Sequence, residues 1–123
     1  MSNDWLSTPR DEWTGDELVR LLAALASPQR LRILATLAGG RRYISELARD
    51  VGLSRPLVHA HLGKLAAVGL VTTSLELAQE GHAMRYVEVT DFSLSLTPEV
   101  IATAMRTLTT PDPSSGGTQE ESA

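Results

Sequence analysis

The 123-residue sequence contains no cysteine, few aromatic residues and no long apolar run. The lack of cysteine excludes disulfide bonds, thiolate metal sites and thiol redox switches. Only 4% of the residues are aromatic, so leucine, valine and alanine must fill the core. No apolar run approaches the roughly 20 residues that a membrane-spanning helix needs, and the polar N-terminus does not resemble a signal peptide. These absences predict a cytoplasmic protein without a membrane partner.

The formal net charge of −4 argues against a nucleic-acid partner until it is resolved along the chain. Between Ser27 and Lys64, seven basic residues are accompanied by only two acids, so this segment carries +5 and the remainder −9. Charges more than roughly 8–10 Å apart are screened at physiological salt, so attraction to phosphate depends on the local field. The distribution therefore favours a nucleic-acid surface within this segment.

Two short amphipathic helices joined by a tight turn lie in this basic segment. The first is predicted from Ile44 to Asp50, and Gly52 permits the backbone turn that follows it. Ser54 is a natural N-cap for the second helix, and Pro56 falls in the first turn, where its missing amide would have been unpaired anyway. We interpret the pair as a helix-turn-helix and the chain as a DNA-binding regulator.

The second helix of this pair has an apolar back and a small, basic front. Val58, Leu62 and Leu65 recur at helical spacing and predict the buried side, and Gly69 ends the helix. A helix with such a front fits the width of a DNA major groove. The residues predicted on that front are Arg55, Leu57, His59, Ala60 and Lys64.

Two further helices precede this motif. The first, predicted from Asp16 to Ala26, has a wide leucine-rich face that indicates a dimer contact. The second is predicted from Gln29 to Ala38, with Leu31, Ile33, Leu34 and Leu37 buried. Arg41 and Arg42 follow in a loop, where they either contact phosphate or form a solvated pair without a partner.

The two ends of the chain and the segment after the motif show other patterns. Residues 1–14 form a polar arm whose Trp5 and Trp13 either cap the core of their own subunit or pack on a second subunit. Residues 70–77 and 84–90 are rich in β-branched residues and predict a hairpin with a six-residue tip. A last helix is predicted over 98–108, and residues 110–123 have the composition of a disordered tail.

Three segments resemble the winged-helix ArsR-type transcriptional repressors of bacteria and archaea. They are Ala24 through Leu34, Leu53 through Leu62, and Leu65 through Val71. The resemblance covers roughly residues 16–108, and it implies a mainly α fold with a small β-wing, a winged helix-turn-helix. Residues 15–109 would then form one DNA-binding and dimerisation domain.

The resemblance also implies a homodimeric repressor that reads an inverted repeat in double-stranded DNA, with one recognition helix in each major groove. The implied DNA contacts from the motif are Ser54, Arg55, Pro56, His59 and Ala60, and those from the wing are Gln79, His82 and Arg85. Lys64, on the basic front of the same helix, is predicted to contact DNA of any sequence. The first and last helices of family members form the dimer. The corresponding dimerisation residues, with those of the arm, are Trp5, Trp13, Leu18, Leu21, Leu22, Leu25, Ile101, Met105 and Leu108.

The chain departs from the metal-sensing members of that family. Their metalloid site is a cysteine pair in the first motif helix, where this chain has tyrosine and serine between Arg41 and Leu47. Another family site needs Asp and His on the last helix, and residues 98–108 contain neither. We expect His61 to be packed and hydrogen-bonded near the buried face. The sequence therefore predicts no metal site and no cofactor.

Two other functions stay open at this point. The overall acidity and the mixed charge of Glu80 and His82 at the wing tip suit a winged helix that binds only protein partners. A small-molecule effector held at the dimer interface, between the tryptophan-bearing arm and the last helix, is compatible with DNA binding. An enzyme is least favoured, because no Ser/His/Asp pairing, phosphate loop or metal triad stands out.

Overall fold

The computed structural model describes residues 13–77 and 80–109, and over these residues it contains five helices and three strands. In chain order they are α1 (Gly15–Leu25), α2 (Pro28–Leu37), β1 (Arg42–Tyr43), α3 (Ile44–Val51), α4 (Arg55–Ala67), β2 (Val71–Leu77), β3 (Ala83–Val89) and α5 (Pro98–Met105). This is the mainly α fold with a small β-wing that the sequence predicts. In the described part of the chain, every helix is too short or too polar to cross a membrane. The predicted tail over 110–123, and most of the predicted arm, lie outside the described residues.

Side-chain caps fix where the helices begin. At α1, the Thr14 hydroxyl accepts from the Glu17 amide at 3.0 Å, and the Thr14 amide donates to the Glu17 carboxylate at 3.1 Å. Ser27 and Thr97 cap α2 and α5 through their hydroxyls, and each is followed by proline. The helix α5 ends at Met105, earlier than predicted, because residues 106–108 close a tighter turn of i→i+3 hydrogen bonds.

The turn between α3 and α4 depends on a glycine in the left-handed region. Gly52 has φ of 72°, and the following Leu53 amide donates to the Ala48 carbonyl at 3.0 Å, which closes the end of α3. Ser54 then caps α4, since its hydroxyl accepts from the Leu57 amide at 3.3 Å. The predicted helix-turn-helix is confirmed, and α3 is longer than predicted by one residue.

The sheet has three antiparallel strands in the order β1-β3-β2. The hairpin pairs Val71 with Val89 and Leu77 with Ala83, so five residues join its strands, one fewer than predicted. The sequence analysis missed β1, whose two residues pair with Val87 and Tyr86 of β3. Because β1 immediately precedes α3, this pairing attaches the wing to the start of the helix-turn-helix.

The core is formed by leucine, isoleucine, valine and alanine from all five helices and the sheet, with Trp13 at its edge. One predicted core position is wrong: Leu31 is 50% exposed. Ile33, Leu34 and Leu37 of the same helix are buried, and at 100° per residue Leu31 falls on a different side of α2.

The leucine-rich face of α1 is divided between the core and the surface. Leu18 and Leu21 are 2% and 1% exposed, and Trp13, before the helix, is 3% exposed. The prediction that these three residues mediate dimerisation is therefore corrected: they pack inside their own protomer and offer no surface to a second one. Leu25 is half-buried against the same core, and Trp5 lies outside the described residues.

The helices α1 and α5 are held together at one end. The Gly15 amide donates to the Thr107 hydroxyl oxygen at 2.9 Å. The Asp16 carboxylate accepts from both the amide and the hydroxyl of Thr109. The exposed apolar residues on this helix pair and just after it, each between 37% and 49% exposed, are Val19, Leu22, Ile101, Met105 and Leu108.

We expect Gly15→Ala to destabilise the protein, because a Cβ at this position would lie 2.7 Å from the Leu108 Cα and 2.8 Å from the Ala104 carbonyl oxygen. Overpacking of this kind costs about 1–3 kcal/mol, and thermal unfolding followed by circular dichroism measures it. Gly63→Ala is the matched control, since a Cβ there would meet no atom within 4 Å other than the backbone of its own helix. Equal melting temperatures for the two variants would contradict the close approach of α1 and α5.

Candidate nucleic-acid interface

The helix α4 is held against the core by one side only. Val58, Leu62 and Leu65 are 0%, 4% and 0% exposed. At about 100° per residue these three positions share one side of the helix, so the side chains opposite are directed to solvent. The predicted buried back of this helix is confirmed.

The solvent-facing side of α4 consists of small residues between cationic flanks. Pro56 and Ala60 lie roughly opposite the buried positions, which leaves the middle of the face low. Arg55 and His59 lie on one flank and Lys64 on the other, and all five residues are exposed. The small residues allow this face to approach the edges of base pairs, while the cationic side chains lie on either side.

The wing lies beside the flank that carries Arg55. Arg85 of β3 shares a sheet face with the buried Val87, so it is directed toward the helices rather than away from them. A cavity of about 260 Å³ separates the wing from α4. It is lined by Tyr43 and Ser45 near the start of α3, by Arg55 and His59 of α4, and by Met84 and Arg85 of β3. The structure thus brings three predicted DNA contacts from two elements around one groove.

Arg55 and Arg85 lie beside this groove, and Lys64 lies on the opposite flank of α4. Over the residues that the structure describes, none of these three cations forms an ion pair. His82 is exposed at the tip of the wing, and the predicted contact Gln79 lies outside the described residues. The positive potential of this face is therefore available to an external anion.

Arg41 has partners inside the chain. Its guanidinium donates to both carboxylate oxygens of Glu76, at 2.8 and 3.3 Å, and its Cζ lies 3.8 Å from the centre of the Tyr86 ring. Tyr86 in turn stacks on Tyr43 with ring centres 4.5 Å apart. The sequence leaves open whether Arg41 contacts phosphate or is a solvated cation without a partner, and in the structure its side chain is bound to Glu76 and Tyr86 of the wing.

The hydrogen bond between Arg41 and Glu76 raises the pKa of the guanidinium and lowers the pKa of the carboxyl. Both groups therefore stay charged at neutral pH, and the contact is lost only as the pH falls through the lowered pKa of Glu76. Hydrogen bonding with Tyr43 raises the pKa of Tyr86. At neutral pH the wing is therefore attached to the loop before α3 by a fully charged ion pair.

Arg42 is also engaged within the chain. Its Nε donates to the Asp50 carboxylate at 3.3 Å, and its Nη1 donates to the Gly40 carbonyl oxygen at 2.6 Å. Arg42, the first residue of β1, therefore fixes this strand to the end of α3. The prediction that Arg41 and Arg42 supply free phosphate contacts does not fit this conformation.

His61 is a structural histidine, as predicted. It is half-buried, and its Nδ1 lies 3.2 Å from Nη1 of Arg30. A guanidinium only donates, so the Nδ1 atom accepts. Arg30 also donates from Nε to the Ala24 carbonyl oxygen at 2.6 Å and from Nη2 to the Ala23 carbonyl oxygen at 3.3 Å. The Arg30 side chain of α2 therefore connects the end of α1 to α4.

Sequence analysis assigns no role in the groove to Tyr43, Ser45 or Met84, and all three line the cavity between α4 and the wing. Tyr43 and Ser45 reach this position because β1 pairs with β3, a tertiary contact that the sequence does not reveal. In the described ranges, no three His, Asp or Glu side chains are grouped as a metal site would require.

Comparison with known proteins places the chain among helix-turn-helix regulators. Residues 27–73 match the family described as bacterial regulatory protein, arsR family. A helix-turn-helix transcriptional regulator of Methanocaldococcus jannaschii is 36% identical over 85 residues, 69% of this chain and 88% of that protein. The regulator CmtR of Mycobacterium tuberculosis is 43% identical over 67 residues, 54% of this chain and 57% of CmtR. The chain thus spans little more than half the length of CmtR.

Solved structures show the same architecture. The homodimeric winged helix-turn-helix DNA-binding domain of a Mycobacterium bovis protein superposes with a TM-score of 0.54 at 31% identity, over 60% of this chain and 64% of that one. Reduced HlyU from Vibrio cholerae gives a TM-score of 0.52 at 28% identity, over 74% and 84% of the two chains. The winged helix-turn-helix fold is therefore confirmed.

We expect Arg41→Gln to loosen the wing without unfolding the protein, because the variant loses both the ion pair with Glu76 and the stacking on Tyr86. Hydrogen exchange of the β2 and β3 amides, followed by NMR, should become faster than in the wild type. Arg49→Gln removes an exposed arginine from α3 and serves as the control. Unchanged exchange in the wing of Arg41→Gln would show that these contacts do not hold it.

Proposed function

This chain belongs to the arsR family of bacterial regulatory proteins, and we propose that it is a homodimeric, sequence-specific transcriptional repressor. It binds an inverted repeat in double-stranded DNA through α4 of each protomer. The observation that carries the proposal is the one-sided burial of α4, which leaves a low, cation-flanked face pointing away from the core. Such a repressor acts in the cytoplasm, with residues 15–109 as its DNA-binding and dimerisation domain.

The groove face of α4 divides into base-reading and phosphate-binding positions. Arg55, at the first position of α4, is suited to bidentate hydrogen bonding with guanine, and His59 one turn later donates to a base or a phosphate. The short side chains of Ser54, Pro56 and Ala60 allow the helix to approach the base edges closely. Their exposure and the absence of acidic side chains on this face support the assignment.

The phosphate contacts flank that face. Lys64 lies on the flank of α4 away from the wing, and Arg85 and His82 belong to the wing. These cations therefore contact the phosphates on both sides of the DNA major groove. Gln79 of the wing is proposed as a further DNA contact on the basis of its place in the sequence. Arg41 and Arg42 are left out, because both are engaged by carboxylates of the same chain.

The proposed dimer interface comprises the exposed apolar residues of α1 and the α5 region, Leu22, Ile101, Met105 and Leu108, with Val19 beside them. Exposed apolar side chains on two helices clamped together form the kind of surface that a second protomer covers. The Mycobacterium bovis domain of the same fold is homodimeric, which supports this arrangement. A two-fold axis at this interface would present the two α4 helices to one face of the duplex.

Selection of random duplexes on the purified chain tests the proposal. We expect an inverted repeat with half-sites about one helical turn, ~34 Å, apart, bound by two chains per duplex as measured by analytical ultracentrifugation. A duplex with one half-site scrambled is the control and should bind far more weakly. Recovery of no preferred sequence, or binding by one chain alone, would reject the dimeric repressor.

The two kinds of contact predict different losses. Arg55→Ala should reduce discrimination at one base pair by about 1–3 kcal/mol. Lys64→Ala should instead weaken all sequences alike and lower the slope of log K against log salt by about one. Arg32→Ala is the control that should leave this slope unchanged, because Arg32 is an exposed residue of α2 outside the proposed contacts. Titrations by fluorescence anisotropy measure all three, and a uniform loss for Arg55→Ala would refute its base-reading role.

A further inference from the structure

A second cavity lies on the flank of α4 away from the wing, where α1, α2 and α4 meet. Its volume is about 350 Å³, within the range of about 300–1,000 Å³ that small-molecule sites occupy. Ala23 and Ala24 of α1 form one apolar wall, and Ala67 and Val68 at the end of α4 form another. It shares no lining residue with the groove between α4 and the wing.

Three cations line this cavity, one from each helix: Arg20 of α1, Arg30 of α2 and Lys64 of α4. Within the ranges that the structure describes, no carboxylate forms an ion pair with any of them. Like charges around one small space repel each other, so an anion bound between them would be stabilised by all three. The cavity therefore combines apolar walls with an excess of positive charge.

Arg30 has hydrogen-bonding capacity to spare. A guanidinium has five N–H donors, and three of those of Arg30 are used by the Ala24 carbonyl oxygen, the Ala23 carbonyl oxygen and the His61 Nδ1. The remaining two, one on each Nη atom, have no partner among the described residues. A pair of donors on the two Nη atoms is the arrangement that binds a carboxylate or phosphate through two oxygens.

We propose that this cavity binds a small organic anion, a carboxylate or phosphate group attached to a compact apolar portion. The anionic group binds to Arg30 and is neutralised by Arg20 and Lys64. The apolar portion packs on the alanine walls and on Val68. This cavity is not the location that the sequence suggests for an effector, which is the dimer interface between the arm and the last helix. Trp13 of that arm is buried in the core of its own protomer.

Binding at this site opposes DNA binding, a consequence that rests on the proposed function. Lys64 is one of the proposed phosphate contacts, and an anion beside it both competes for its ammonium group and lowers the positive potential of this flank. Arg30 also connects α1 to His61 of α4, so the anion contacts the side chain that joins the two helices. Because the coupling is reciprocal, bound DNA lowers the affinity for the anion by the same factor.

Titration of the full chain with benzoate and with phenyl phosphate, in the absence of DNA, tests the site directly. NMR of the ¹⁵N-labelled protein should show saturable shifts for Arg20, Ala23, Lys64 and Ala67, with a Kd of about 1 mM or tighter for at least one anion. Benzamide, the neutral analogue of benzoate, should bind at least about tenfold more weakly, because it lacks the charge that the cations neutralise.

Two arginine variants of equal charge change separate the site from general electrostatics. Arg20→Gln should weaken anion binding at least about tenfold, whereas Arg32→Gln, an exposed position of α2 outside the cavity, should leave it unchanged. The absence of saturable binding for both anions, or equal affinity of the two variants, would overturn the proposal.

A second measurement separates this site from a simple phosphate contact. Benzoate or phenyl phosphate should lower the affinity of the wild type for its selected operator several-fold, and Arg20→Gln should bind the operator normally but ignore the anion. If Arg20→Gln weakens operator binding and neither anion binds, these cations serve DNA phosphate alone and the proposal fails. A chain that binds the anions but no operator would uphold the site and refute the repressor function instead.

Discussion

The rotation of α4 about its own axis is the constraint on which the recognition surface depends. Val58, Leu62 and Leu65 are buried together, and each contributes about 1.5–3 kcal/mol relative to exposure. Turning the helix by one residue would expose part of this set and force a charged or small side chain into the core. The side of α4 that faces solvent is therefore determined by what its other side buries, before any partner is considered.

The chain also controls which of its cations are available. The segment from Ser27 to Lys64 is strongly basic, but the charges of Arg41 and Arg42 are paired with the carboxylates of Glu76 and Asp50. These arginines stabilise the junctions between elements. Arg55, Lys64 and Arg85 remain unpaired over the described residues, so a surface for an anion is left where helices and wing converge. Local charge alone could not distinguish these two groups of cations.

Much of the fold was predictable from the sequence because its determinants are local. Gly52 and Ser54 act through their own backbone and hydroxyl groups, and both predictions hold. The strand β1 has only two residues, too few for any periodicity, and it exists because β3 lies beside it. Trp13 and Leu31 show the same limit: an apolar residue near a helix is buried or exposed according to which neighbours cover it. The partners of Arg30 and Arg41 are tertiary contacts that no sequence spacing reveals.

The short strand β1 has a mechanical consequence. It pairs with β3 on one side and continues directly into α3 on the other, and the stacked rings of Tyr43 and Tyr86 reinforce the joint. The wing is therefore joined to the helix-turn-helix directly, by strand pairing and ring contact, with no linker between β1 and α3. In the proposed complex, little orientational freedom would be left to lose on association. The distance between the DNA contacts of α4 and those of the wing would be set by the protein. A duplex whose grooves do not match this distance would have to bend to make both sets of contacts.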